Sequence, residues 1–207
     1  MKGKFITIEG CEGVGKSTLI DGLKNFFATQ NIDAVFTREP GGTDIAEKIR
    51  EVILDANNDK MTDTAELLLY ASARAQHTEE KILPLVQQGK IVVCDRYSDS
   101  TLAYQAYGRG LPVDIVEGVN SIAENGIKID ATIFLDLSPS LGFLRKGGAE
   151  KQDRLEQQTL EFHERVYDGY RSIAKKNKKR FVVIDASKTK EEVLSSVIVA
   201  LKERGIF

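Results

Sequence analysis

Tryptophan is absent from this sequence, and cysteine, histidine and methionine occur only twice each. Two cysteines, Cys11 and Cys94, cannot make a disulfide framework, and in a reducing compartment they read as two buried thiols. Charge of one sign is also lacking: Lys and Arg total 29 against 31 Asp and Glu, a formal charge of -2. No global field therefore draws the chain to nucleic acid or to an anionic membrane, and any anion it recognises must be met by local geometry. No apolar run approaches the ~18 residues of a membrane helix. The apolar start Phe5-Ile6-Thr7-Ile8 is cut by Glu9, too early for a secretion signal. These absences predict a soluble, cytoplasmic protein without nucleic-acid or membrane partners. What is present is ordinary: 42% hydrophobic and 29% charged residues over 207 positions, the balance of a folded globular chain. At roughly 150 residues per domain, the expectation is one domain over residues 1–207 with an insertion or a lid.

Five short, β-branched apolar runs punctuate the chain: Phe5 to Ile8, Ala34 to Thr37, Ile91 to Cys94, Ala131 to Leu135 and Phe181 to Ile184. Continuous apolarity over so few residues predicts strands covered on both faces. The intervals carry helical periodicity, as in Leu19, Leu23, Phe26 and Phe27, and longer helices are expected over Thr43 to Leu54, Asp63 to Gln88 and Arg154 to Lys176. Alternating β and α predicts an open five-stranded parallel sheet with helices on both faces. Each run is followed by a charged residue, namely Glu9, Arg38, Asp95, Asp136 and Asp185, and parallel strands would gather these groups at the edge where such sheets bind ligands. The run Lys175-Lys176-Asn177-Lys178-Lys179-Arg180 reads as a solvated helix end. The segment from Gly142 to Gln152, with Arg145, Lys146 and Lys151 but few apolar anchors, reads in its later part as a mobile loop.

The first strand runs into Gly10-Cys11-Glu12-Gly13-Val14-Gly15-Lys16-Ser17-Thr18, which fits G-x-x-x-x-G-K-[ST] between a strand and a helix. Glycines let successive backbone N–H groups point at phosphate oxygens, and the helix N-terminus adds partial positive charge. Lys16 would reach the terminal phosphates and the Ser17 hydroxyl would ligate magnesium. A dinucleotide fingerprint fails, because Thr18 stands where its third glycine belongs. A guanine-reading N-K-x-D fails at Arg180, and no D-x-x-G occurs. Cys11 is either a reactive thiol near a helix N-terminus or an inert loop residue. Asp95 is placed to organise magnesium or to cap the next turn, with Asp136 and Asp185 as competitors for the metal. Two arginines stand at strand ends, Arg38 and Arg96, and Tyr70-x-x-x-Arg74 lies in a helix. Arginine matches phosphate with paired hydrogen bonds, so Arg38 and Arg96 could hold a second phosphate facing the first. The alternatives are a turn salt bridge of Arg38 with Glu39, and pairing of Arg96 with Asp95 or Asp99.

Further blocks carry a resemblance. They are Thr37-Arg38-Glu39-Pro40-Gly41-Gly42-Thr43, Leu69-Tyr70-Ala71-Ser72-Ala73-Arg74-x-Gln76-His77, Asp95-Arg96-Tyr97-x-x-Ser100-x-x-Ala103-Tyr104-Gln105 and Asp153-Arg154-Leu155-Glu156. With the glycine-rich loop they resemble the bacterial thymidylate kinases over nearly the whole chain. The resemblance implies a three-layer P-loop kinase fold with a lid near 142–153, ATP as donor, Mg2+ as cofactor and dTMP as acceptor in dTTP synthesis. It implies that Arg38 and Arg96 hold the dTMP phosphate with Arg50 nearby, and that Glu12 accepts from the 3'-hydroxyl. Tyr70 would stack on thymine, Arg74 would donate to O4, and Gln105 would read the N3 edge beside Ser100 and Thr101. Tyr104 would crowd the 2' position, and a homodimer is implied as well.

The loop from Gly10 to Lys16 contains no arginine, so the cation on the transferring phosphoryl group comes from elsewhere; the chain resembles the bacterial subtype in which a lid arginine closes over that group, which implies Arg145 first, then Arg154 and Lys146. The lid departs from the family pattern, with extra residues before Asp153. His77 and His163 read as helix residues with local partners, since this chemistry needs no strong general base. A kinase of UMP or dUMP and a non-enzymatic nucleotide-binding regulator are the rival readings.

Overall fold

A computed structural model describes residues 3–145 and 153–207. Five strands, β1 (Lys4–Glu9), β2 (Ala34–Arg38), β3 (Ile91–Asp95), β4 (Ala131–Asp136) and β5 (Phe181–Asp185), form one sheet in the order β2-β3-β1-β4-β5. Every pairing is parallel, as the apolar runs predict. Each strand extends to include the charged residue that ends its run.

Alternation along the strands sends successive side chains to opposite faces. Ile6, Ile8, Ile133 and Leu135 join the main core cluster, which includes Leu19, Leu23 and Phe27 of helix α1 (Lys16–Thr29) and Val197 and Leu201 of α9 (Lys190–Glu203). Phe5, Val92 and Cys94 pack with Tyr97 and Ile82 on the other face, where Phe134 stacks on Tyr170 of α8 (Leu160–Lys176) at 5.4 Å. Burying such side chains contributes ~2 kcal/mol each.

The remaining helices are α2 (Asp44–Leu54), α3 (Asp63–His77), α4 (Leu83–Gln87), α5 (Ser98–Thr101), α6 (Val113–Glu124) and α7 (Pro139–Arg145). A π-helical stretch, Thr78–Ile82, joins α3 to α4, and a second, Leu102–Gly108, extends α5. The long interval expected from Asp63 to Gln88 is thus one nearly continuous helical run. The helix expected from Arg154 begins only at Leu160, where the Thr159 hydroxyl accepts from Phe162 N. Before that cap, the Asp153 carboxylate accepts from Leu155 and Glu156 N and holds a turn. Lys175 to Lys179 are exposed as expected, whereas Arg180 turns inward to pair with Asp99. Of the expected lid, residues 142–145 close helix α7; residues 146–152, with Lys146, lie outside the described residues.

Candidate active site

Strand register sets the site. Ile8 pairs with Asp95, and Asp95 pairs with Arg38, so β1, β2 and β3 end level and deliver the glycine loop, Arg38, Asp95 and Arg96 to one edge. There they line a cavity of about 500 Å³, within the usual ligand range. Of the expected site residues, Glu12, Gly13, Val14, Gly15, Lys16, Ser17, Thr18, Arg38, Arg50, Tyr70, Arg74, Asp95, Arg96, Ser100, Thr101, Tyr104, Gln105 and Arg145 all line it. Gly10, Cys11 and Arg154 do not.

The glycine loop has the expected shape. Gly15 sits at φ 95°, and α1 starts after it with no side-chain cap on its first N–H groups, which leaves them for an anion. A Cβ on Gly13 would come within 2.1 Å of Gly142 O, and one on Gly142 within 2.2 Å of Glu12 O, so both positions allow α7 to pack against the loop. Lys16 Nζ donates to Gly10 O at 3.1 Å and Cys11 O at 2.8 Å. Burial, and then the charge of Arg96, lowers the Lys16 pKa. The Cys11 side chain lies in the core with its thiol pushed up to about 12 by burial, which makes it the inert loop residue.

The strand-end aspartates separate by their partners. Asp136 accepts from Tyr167 OH at 2.7 Å, and Asp185 accepts from Ser187. Among the described residues Asp95 Oδ1 is buried without a hydrogen-bond partner, and Asp95 alone of the three lines the cavity. A buried carboxylate oxygen left unpaired beside the Ser17 hydroxyl's loop fits a hard cation with oxygen ligands. The residues present thus fit Mg2+.

The arginines find other partners than the sequence suggested. Arg38 bonds Glu47 at 3.0 Å and Pro40 O at 3.0 Å instead of Glu39, because Glu39 turns inward to Arg74 at 2.8 Å and His77 at 3.0 Å. Arg96 pairs with Glu12 instead of Asp95 or Asp99. It also donates to Gly10 O and to the hydroxyls of Ser100 and Tyr170. Its backbone sits at φ 64°, a left-handed conformation that costs a non-glycine residue roughly 1–2 kcal/mol. Arg96 N donating to Ile8 O and Tyr97 N donating to a Glu9 carboxylate oxygen hold that turn. Glu12, with Tyr104 OH at 3.3 Å, therefore faces Arg96 and is not a solvated loop charge. Arg50 donates to Pro40 O at 2.8 Å.

On the far wall, Arg74 Nη1 donates to Asn120 Oδ1 at 2.9 Å and its plane lies over Tyr97. Thr101 Oγ1 is buried without a hydrogen-bond partner among the described residues. Arg145 donates to Ala186 O and Ser187 O, and it borders a second cavity of about 440 Å³ beside the loop with Thr18, Lys188 and Lys190. Arg154 is placed elsewhere: its Nε donates to Ile53 O and its Nη2 meets Glu66 at 2.5 Å, so it braces helices. His77 is fully buried between Glu39 and Thr37, and His163 packs edge-on to Phe143 and Phe162, as helix residues with local partners should.

Three contributors escaped the sequence reading, Glu66, Asn120 and Tyr170, and Glu9 stands in that reading at the ligand edge without a role. Glu66, Tyr70 and Arg74 repeat at i, i+4 and i+8, one helix face, and that spacing could have flagged Glu66. Nothing local marks Tyr170. Glu9 is buried and accepts from Tyr97 N, Ser100 Oγ at 2.6 Å and Tyr170 OH at 3.1 Å. Burial, then Asp99, pushes its pKa from 4.5 up to about 8. The folded state thus keeps a proton that the unfolded chain releases above 4.5, and stability present below that pH is lost as pH rises through about 8. Glu9→Gln removes this titration and is expected to flatten the decline in melting temperature between about pH 5 and 8; an unchanged decline in the variant would exclude Glu9 as its source.

The chain matches the family model described as Thymidylate kinase over residues 8–197. It is 47% identical over 202 residues to a thymidylate kinase of Finegoldia magna, covering 98% of this chain and 99% of that one. It is 43% identical over 206 residues to a thymidylate kinase of a Geobacillus species, covering 99% and 98%. Among solved structures, the thymidylate kinase of Ehrlichia chaffeensis superposes with a TM-score of 0.78 at 33% identity, covering 97% of this chain and 99% of that one.

Proposed function

The chain belongs to the thymidylate kinase family, and from that premise we propose how the cavity at the sheet edge carries out transfer of the ATP γ-phosphoryl group to dTMP. The observation that carries this reading is that Lys16 and Arg96 face one cavity from neighbouring strand ends. Two phosphorylated molecules can then meet end to end.

The donor's phosphates lie over Gly13 to Thr18, held by backbone N–H groups, the start of α1 and Lys16. Its nucleoside extends toward the second cavity, where Arg145, Lys188 and Lys190 gather. Ser17 and Asp95 would hold Mg2+, which when bound neutralises phosphate charge. Arg96, Arg38 and Arg50 hold the acceptor phosphate, while Tyr70 covers the base and Arg74 meets its O4. Arg74 is suited to that task because Glu39 and Asn120 fix its plane and leave Nη2 without a hydrogen-bond partner among the described residues. Gln105 and Thr101 complete the base edge, and Tyr104 beside Glu12 lies at the sugar. Glu12 moves from Arg96 to the 3'-hydroxyl as the acceptor phosphate takes its place. In-line transfer then proceeds by positioning and charge neutralisation, with Arg145 the described lid cation nearest the loop.

Exposed Ile45 on α2, Leu68 on α3 and Ile115 on α6 lie on helices that pack side by side, which supports a homodimer. No helix among the described residues is long and apolar enough to cross a membrane, and the chain is proposed to work in the cytoplasm.

Purified protein with MgATP and each nucleoside monophosphate in turn tests the reading through ADP release. Stimulation by dTMP well above UMP is expected, whereas equal rates would remove the base-reading assignments. Arg74→Ala is expected to raise the KM for dTMP ~10²-fold with a smaller change in kcat, since a lost charge-assisted hydrogen bond is worth ~2–3 kcal/mol. An unchanged KM would take Arg74 off the base.

A further inference from the structure

The first turn of α3 places Glu66, buried, beneath Tyr70 and Arg74 on the face that meets the cavity. Its Oε1 accepts from Gln105 Nε2 at 2.8 Å and from Arg109 Nε at 3.2 Å. Its Oε2 accepts from Arg109 Nη2 at 3.0 Å and faces Arg154 Nη2 at 2.5 Å. Both arginines are themselves fixed. Arg109 donates to Gln158 at 2.9 Å and lies over the Phe162 ring, and Arg154 is tied to Ile53 O. Burial alone would raise the Glu66 pKa, but hydrogen bonds from Arg109 and Gln105 and the arginine charges bring it below its ordinary value.

An ionised carboxylate only accepts hydrogen bonds. Gln105 must therefore give Glu66 its NH2 group, and its carbonyl oxygen is left without a partner among the described residues in the wall of the cavity. We propose that Glu66 is a positioning residue that sets the polarity of Gln105, and that this polarity makes the site select a pyrimidine bearing N–H at ring position 3. The inference rests on the reading above that places the base against Gln105. Thymine or uracil offers the amide carbonyl a donor; cytosine offers it a lone pair, leaving two buried acceptors opposed. Arg74 adds a donor that suits a carbonyl at position 4 and opposes an amino group.

Glu66→Gln has a predictable outcome because its two oxygens differ. An amide nitrogen at the Oε2 position would face two arginines, neither of which can accept. At the Oε1 position it faces a single arginine N–H, Arg109 Nε at the longer 3.2 Å, and Gln105, which can turn over. The variant therefore turns Gln105 so that its NH2 points into the cavity. The kcat/KM ratio of dTMP to dCMP, measured by ADP release, is expected to fall at least ~30-fold. Gln105→Met in the otherwise unchanged protein should also lower this ratio, and adding Glu66→Gln to it should lower it no further. If Glu66→Gln reduces both rates together at constant ratio, while Gln105→Met shifts the ratio, the inference is overturned and the placement of the base survives. If Gln105→Met leaves the ratio unchanged, that placement falls and the inference with it. Should Glu66→Gln not fold, neutron diffraction from crystals of the unaltered protein decides: a Gln105 amide deuteron directed at Glu66 is expected, and a Gln105 carbonyl oxygen directed there overturns the proposal.

Discussion

Lys16→Ala is expected to lower kcat by at least ~10³-fold, above the cost of removing one neutral donor from an anion-stabilising site, because a full positive charge is lost. The ammonium spans the mouth of the glycine loop, bonded to Gly10 O and Cys11 O and only 9% exposed. Held there, it needs little reorganisation to meet the phosphates, and the low-dielectric surroundings that lower its pKa also strengthen its pull on developing charge. Its loss leaves two carbonyls without that donor, at a cost of ~1–3 kcal/mol, which is partly offset by no longer burying a charge. The fold should therefore persist. Thermal melting and ADP release on the same preparation separate the two effects. A folded variant within tenfold of the normal kcat would remove Lys16 from the reaction.

Arg96→Met is expected to lower kcat/KM for dTMP by ~10³-fold or more, from the loss of a charge-assisted, bidentate phosphate contact. It should also destabilise the protein, since the Arg96–Glu12 ion pair is lost; breaking such a pair costs ~3–5 kcal/mol when fully buried and less here. The double variant Arg96→Met with Glu12→Gln distinguishes these effects. Its melting temperature should recover most of the loss, and its activity should not recover. Arg96→Lys is expected to remain poor, because an ammonium cannot bond Gly10 O, Ser100 and Tyr170 in the fixed fork that a guanidinium provides. Recovery of activity in the double variant would mean that Arg96 serves only to neutralise Glu12.

Much of the site is legible in order along the chain. The five apolar runs mark the five strands, and the charged residue after each run is the last residue of its strand, so Arg38, Asp95 and the start of the glycine loop fall at one edge. Asp95 could be separated from Asp136 and Asp185 only by partners: a Tyr167 hydroxyl from α8 satisfies one and Ser187 satisfies another. The start of α8 was misplaced because periodicity continues back through Leu155, while Asp153 spends its carboxylate on a turn and Thr159 supplies the cap. Arg154 looked like a lid cation because it follows a basic, glycine-containing segment, but a buried carboxylate eighty-eight positions earlier, Glu66, claims it.

Local periodicity and the fixed spacing of glycine, lysine and hydroxyl residues sufficed to determine the parallel sheet, the phosphate loop and the strand-end arginines, since each is set within a few residues by backbone geometry. Which acceptor each buried charge meets was decided only in three dimensions. Arg96 meets Glu12, Arg38 meets Glu47, and Gln105 meets Glu66. Such pairings depend on how distant helices dock and on every buried donor finding an acceptor at once, a condition that no stretch of sequence satisfies alone.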